Sequence, residues 1–220
     1  MAGSSIPELV SALGREEFPR SRLAEELSRQ GYCRVSDRIA LLANQGVVRR
    51  ITRDWFVLGT LWRKRNLHLR WLANQLLLPS TLSLEYALGF YGLIPEATGT
   101  FTSVTPRRGR GFETSEGSFL YTAIPSRAFP CGRTLASLGE ERFFLASPEK
   151  ALTDKVWTER LPTSMDWEVY LAEDLRLDEG FWSSARMEEL RRFAAAYGSR
   201  KLSSLASFFE KWRGGRPRGR

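Results

Sequence analysis

Between Arg20 and Leu58 the spacing of apolar residues changes period, and that change narrows what the chain can fold into. Leu23, Ala24 and Leu27 recur at helical spacing and share one face. Gly31 interrupts them, since glycine accepts the left-handed backbone that a tight turn needs. Ile39, Leu42 and Ala43 form a second inward stripe, which Gly46 ends. Val47, Val48 and Ile51 then switch to a strand pattern, and Trp55 to Leu58 supply a return strand. Helix, tight turn, helix and hairpin is the order of a winged helix-turn-helix. Ser21 and Ser36 stand where the caps of the two helices are expected, with Asp37 beside Ser36 to suit the positive end of the helix dipole. Ahead of them Ile6, Leu9, Val10 and Leu13 predict a short helix ended by Gly14, and Phe18 and Pro19 lead into the next.

Charge turns this pattern toward a polyanion. Arg20, Arg22, Arg29, Arg34, Arg38, Arg49, Arg50 and Arg53 all lie in the same stretch. A protein that binds duplex DNA needs cations to replace phosphate counterions and an element narrow enough to enter the major groove. Arg34 and Arg38 sit at the front of the second helix, where base-edge contacts originate, and Ser36 lies between them. Arg49, Arg50 and Arg53 sit on or near the hairpin tip, where a wing meets backbone. Arg20 and Arg22 add cations at the start of the first helix. The plainer alternative is a small helical domain with a solvated basic face. Leu41 points away from the Ile39/Leu42 stripe, and either meets a thymine methyl or packs on a neighbouring helix.

A chain of 220 residues with 42% hydrophobic content suits two small domains with real cores. The net charge is +8. Residues 1–70 hold 13 cations and 7 anions, residues 71–160 hold 9 of each, and residues 161–220 hold 11 and 9. The excess is therefore concentrated in the first third, as expected of one binding surface. Cys33 and Cys131 are far apart and read as reduced thiols, and His68 is the one histidine, so a zinc site is not expected. No cationic leader precedes an apolar core, and the run from Trp71 to Leu78 is broken by Asn74 and Gln75. The expectation is a cytoplasmic protein with no membrane segment and no cofactor.

The boundary is expected near Gly59 and Thr60: a DNA-binding domain over 1–60, a second domain over 61–212, and a disordered basic tail over 213–220. After an irregular entry, Trp71 to Leu78 predicts a helix. Arg63, Lys64, Arg65 and Arg70 near it either extend the basic surface or form a solvated face. Ser83 is expected to cap a helix that Gly92 ends. Thr100–Thr105, Arg110–Thr114, Ser118–Ile124 and Arg142–Leu145 read as strands, with Ser115-Glu116-Gly117 as a hairpin turn. Ser147-Pro148 opens a helix as cap and first-turn proline. Phe181–Tyr197 and Lys201–Trp212 read as helices. The fold class is thus α/β (α+β): a winged helix-turn-helix, then a small mixed sheet with flanking helices and a helical end.

Four stretches from Ser83 to Lys155 carry a resemblance: SLEYALGFYGLIPE, FTSVTP with a basic run, FETSEGSFLYTAIP and FFLASPEKALTDKV. In that combination and order the chain resembles the AbiEi-type antitoxins of bacterial type IV toxin–antitoxin systems, over nearly its whole length. The resemblance implies two roles. The winged helix would bind inverted repeats in promoter DNA and repress the operon. The second domain would oppose a nucleotidyltransferase-like toxin without forming a stable complex with it. Relatives often have glycine in the wing turn, whereas Thr52-Arg53-Asp54 has none, which leaves the direction of Arg53 open.

Two further clusters bear on function. Ser147, Glu149, Lys150 and Asp154 look catalytic at first, but no histidine partner or phosphate loop accompanies them. Lys150 and Asp154 share a helix face, and a cap plus a surface or inter-element ion pair accounts for the set. No catalytic residue is assigned. Arg107, Arg108 and Arg110, between Gly109 and Gly111, form a second basic surface for phosphate or nucleic acid, or a solvated loop. Apart from the antitoxin reading, two alternatives stand: a regulator whose second domain takes a ligand or protein, and an enzyme using the Glu149/Asp154 helix.

Overall fold

The computed structural model describes residues 5–95, 99–162 and 165–215. They divide into two units. The first holds the residues up to Leu72 together with the turn Thr114–Glu116, and the second holds Ala73–Glu113 and the chain from Gly117 onward. Among the described residues, no helix is long and apolar enough to cross a membrane.

In the first unit, α1 (Ile6–Leu13), β1 (Glu17–Pro19), α2 (Arg20–Arg29), α3 (Val35–Asn44), β2 (Val48–Arg50) and β3 (Trp55–Leu58) follow in chain order. The strands form an antiparallel sheet in the order β1-β3-β2, with Phe18 opposite Phe56 and Arg50 opposite Phe56 on the other side. Leu9, Leu13, Leu23, Leu27, Ile39 and Leu42 from the helices close on Phe18, Val48, Phe56 and Leu58 from the sheet. The apolar stripes therefore face one another as their spacing predicts.

Two caps differ from expectation by two residues. Pro19, not Ser21, is the N-cap of α2, because Pro19 is held in β1 opposite Trp55 and Arg20 N–H donates to Asp54 O at 2.7 Å. Arg34, not Ser36, is the N-cap of α3: Arg38 N–H already donates to Arg34 O at 3.0 Å, which puts Ser36 inside the first turn. The tip between β2 and β3 closes without glycine. Ile51 N–H and Thr52 N–H both donate to Trp55 O, at 2.9 and 3.2 Å, and no residue of the tip has positive φ.

The boundary expected at residue 60 falls inside this unit. Gly59 is held by its N–H to Val47 O at 2.8 Å, and Trp62 packs against the core. Arg63 donates to Leu58 O at 2.7 Å, and Lys64 N–H donates to Glu16 at 3.2 Å. Trp71 packs edge-on to Trp55 at 5.7 Å and lies under the Arg15 guanidinium.

The second unit is a six-stranded mixed sheet in the order β6-β7-β5-β4-β9-β8, from β4 (Thr81–Leu82), β5 (Thr100–Thr105), β6 (Arg110–Thr114), β7 (Gly117–Ala123), β8 (Arg133–Leu138) and β9 (Glu141–Ala146). β5 runs parallel to β7 and β4 parallel to β9, while β4–β5 and β8–β9 are antiparallel. α4 (Leu69–Leu76) leads in, and Asn74 completes the ladder beside β9. Its carboxamide accepts from Phe144 N–H at 2.5 Å and donates to Phe144 O at 3.3 Å. α5 (Leu84–Phe90) and α6 (Pro148–Thr158) pack together and on the sheet. α7 (Trp167–Val169) continues into a π turn over Tyr170–Asp174, followed by α8 (Glu179–Ser184), α9 (Met187–Tyr197) and α10 (Arg200–Gly215).

The helix expected over Phe181–Tyr197 is split at Ala185–Arg186. Arg213 donates to Trp182 O at 3.1 Å and to Ala185 O at 2.6 Å, ending α8, while Arg186 N–H turns to Glu149. The expected tail from residue 213 is likewise corrected. Arg213 to Gly215 belong to α10, and residues 216–220 lie outside the described set. Basic side chains finish two more helices, with Lys201 on Glu159 O at 2.7 Å after α6 and Arg127 on Tyr197 O at 3.0 Å at the end of α9. Cations at carbonyl-rich helix ends meet the negative end of the dipole.

Candidate nucleic-acid interface

The basic residues of the first unit gather beside α3. Arg20 from α2, Ser36, Ala40 and Ala43 from α3, and Arg50, Arg53 and Asp54 from the hairpin line an open cleft of about 550 Å3. Arg20 Nη2 donates to Ser36 Oγ at 3.1 Å, which sets one guanidinium across the mouth of α3. Arg50 Nε donates to Thr52 O at 3.0 Å, so its side chain braces the tip. Arg53 is exposed, and it lines the cleft despite the glycine-free turn. Arg34 stands exposed at the N-cap of α3.

The other expected contacts are engaged within the unit. Arg22 donates to Ala12 O at 3.1 Å and pairs with Glu25 at 3.5 Å. Arg38 is half-buried, with its guanidinium over the Tyr32 ring at 4.8 Å and its Nε buried without an acceptor. Arg49 pairs with Glu116, and Arg63 reaches the same carboxylate at 3.0 Å. Burial holds the Arg63 guanidinium below its usual range, with repulsion from Arg49 adding to it. Arg63 is thus a bracing residue, not part of an exposed basic face. Tyr32 and Glu116 carried no sequence signal for these roles, because a turn tyrosine and a hairpin glutamate are ordinary surface residues.

Arg107, Arg108 and Arg110 are exposed, with Arg110 over Phe112 at 5.6 Å. Between them Gly109 is forced by a close approach: a Cβ there would lie 2.6 Å from Tyr121 O.

The cluster on α6 is interior. Ser147 caps the helix, accepting from Lys150 N–H at 3.3 Å. Lys150 and Asp154 do share a face, but the pair is buried, not on the surface: Lys150 is 1% exposed and Asp154 0%. Lys150 Nζ donates to Asp154 and, at 3.2 Å, to the Tyr197 hydroxyl, which itself donates to Asp154. Ser83 Oγ donates to the second carboxylate oxygen at 2.6 Å. Burial, with the adjacent Asp154 carboxylate, pushes the Tyr197 phenol far up. Glu149 forms the expected inter-element pair. It accepts from Arg186 N–H at 3.0 Å and from the guanidinium at 3.0 and 2.9 Å. Burial alone would raise its carboxyl, but the Arg186 contacts prevail and hold it below the usual range. These partners account for Glu149, Lys150 and Asp154 as internal ties.

No protein-family model matches the chain, and a search of curated proteins finds no match to it.

Proposed function

We propose that the chain is a DNA-binding autorepressor of the AbiEi antitoxin type, acting in the cytoplasm. The observation that carries the DNA-binding half is the cleft in which arginines from α2 and from the β2–β3 hairpin flank α3. Read as a winged helix-turn-helix, the first unit presents α3 to the major groove and the hairpin to the adjacent backbone. Arg20, Arg34, Arg50 and Arg53 then contact phosphate, with Arg22, Arg38 and Arg49 placed behind them. The partner is duplex promoter DNA carrying inverted repeats.

A salt titration of duplex binding tests this half. Affinity is expected to fall steeply with salt. The triple variant Arg34→Ala, Arg50→Ala, Arg53→Ala should flatten the log–log slope by about 2–3, roughly 0.9 for each lost phosphate contact. No duplex binding at low salt, or an unchanged slope in the variant, rules the interface out.

The antitoxin half rests on the resemblance of residues 83–155. Its support is that Ser83 and Asp154, near the two ends of that region, are bonded to each other in the interior of the second unit. The functional partner is a nucleotidyltransferase-like toxin, opposed without a stable complex. Co-expression with the product of a neighbouring gene of that kind is expected to restore growth. Persistent growth arrest removes the antitoxin role, and if DNA binding survives, the chain is a stand-alone regulator.

A further inference from the structure

The register of α3 decides which side chains its outward face carries. Ile39 and Leu42 are buried in the core, and Arg38 lies on the flank over Tyr32. Asp37, Ala40, Leu41 and Asn44 are all exposed, at the three-, four- and seven-residue spacing that makes one continuous stripe. Leu41 is 43% exposed. An exposed leucine alone carries no information. Here its neighbours do. The stripe holds a carboxylate, a methyl, an isobutyl group and a carboxamide, and no cation, while Arg34 stands at the start of the helix and Arg20, Arg50 and Arg53 line the cleft beside it.

This division of labour has a chemical reading. Phosphate would be repelled by Asp37 and would gain nothing from Ala40 or Leu41. Among groups presented in the major groove, the thymine 5-methyl is the apolar one, and it suits Ala40 and Leu41. The Asn44 carboxamide matches the N6/N7 edge of adenine, which offers one donor and one acceptor. Asp37 accepts only from an exocyclic amine, such as cytosine N4.

We infer that α3 reads an A·T-bearing half-site through the thymine methyl and the adenine edge, with Ala40, Leu41 and Asn44 as the specificity-determining residues and the arginines confined to phosphate. This rests on the DNA-binding reading above and deepens it by naming the base chemistry. It also moves sequence choice away from Arg38, whose guanidinium is held on the flank of the helix.

The test uses the full chain. Binding sites are selected from a random duplex pool, and the selected site is remade with each thymine replaced in turn by uracil, which lacks only the 5-methyl. At least one replacement is expected to weaken binding about fourfold, the worth of one buried methyl group. Leu41→Ala should weaken the thymine site by a similar factor and lose its sensitivity to that uracil, because one contact is removed from either side. Asn44→Ala should lower affinity about tenfold and abolish the adenine preference at one position. Both side chains are exposed, so circular dichroism should show the fold intact. Salt-dependent binding with a selected site fixed only at G·C pairs, or with every uracil duplex within twofold of its parent, overturns the inference and leaves DNA binding standing. Absence of any duplex binding at low salt overturns both.

Discussion

Asp154→Ala is expected to lower the stability of the second unit by about 3–5 kcal/mol, the cost of removing one partner from a buried charge pair. The change would leave the Lys150 ammonium, 1% exposed, without its counter-ion, and would strip the acceptor from both Ser83 Oγ and Tyr197 OH. Lys150→Met should cost less, since Asp154 keeps two hydroxyl donors. The double variant Lys150→Met, Asp154→Leu should recover part of the loss, because an apolar pair avoids the desolvation that the ions carry while the Ser83 and Tyr197 hydroxyls stay without their acceptor. Urea unfolding followed by far-ultraviolet circular dichroism reads the order. A midpoint for Asp154→Ala equal to wild type, or a double variant weaker than either single one, contradicts the interior role assigned to this cluster.

Gly59→Ala is expected to cost the first unit about 3 kcal/mol, the upper end of the overpacking range. A Cβ at residue 59 would sit 1.8 Å from Gly46 O, and no side-chain rotation can relieve a clash with backbone. Gly59 has φ −63°, so the glycine is required by proximity and not by conformation. Gly46 offers the opposite case: its φ is +68° and a Cβ there meets open space. Gly46→Ala should therefore cost only about 1–2 kcal/mol, the penalty for a left-handed residue with a Cβ. Because the Gly46 carbonyl lies in the turn between α3 and β2, the Gly59 variant should also weaken the duplex binding proposed above. Comparable unfolding midpoints for the two variants would show that the close approach is not what fixes residue 59.

These residues mark what could be read from the chain alone. Helical spacing placed α1, and strand-forming composition between turn residues placed β3, β5 and β6, at the bounds observed. The α2 cap was displaced by two positions because Pro19 is held by strand pairing, a tertiary contact with no local trace. β8 left no alternation to detect: as an edge strand it exposes Leu135 and Leu138, 63% and 51% exposed, on both of its sides. Gly59 resembled a linker because a chain pattern does not reveal which backbone atom occupies the place where a Cβ would stand. The position of Arg38 near the front of α3 was legible, but its turn toward Tyr32 was not, since helical spacing does not place a side chain from the turn between α2 and α3. Burial of Lys150 and Asp154 ran against the ordinary rule for charges, and only their partners explain it.

Asn74 gives the second unit a property its strand order does not announce. A helix side chain supplies both the donor and the acceptor that a neighbouring strand would offer Phe144. At that point the ladder is completed by an element of a different kind, so α4 and β9 share one opening event. Fraying of the helix uncovers a strand edge, and loss of the strand frees the end of the helix. Local fluctuation of either is thereby raised toward the energy of the whole sheet, and the two behave as one cooperative element.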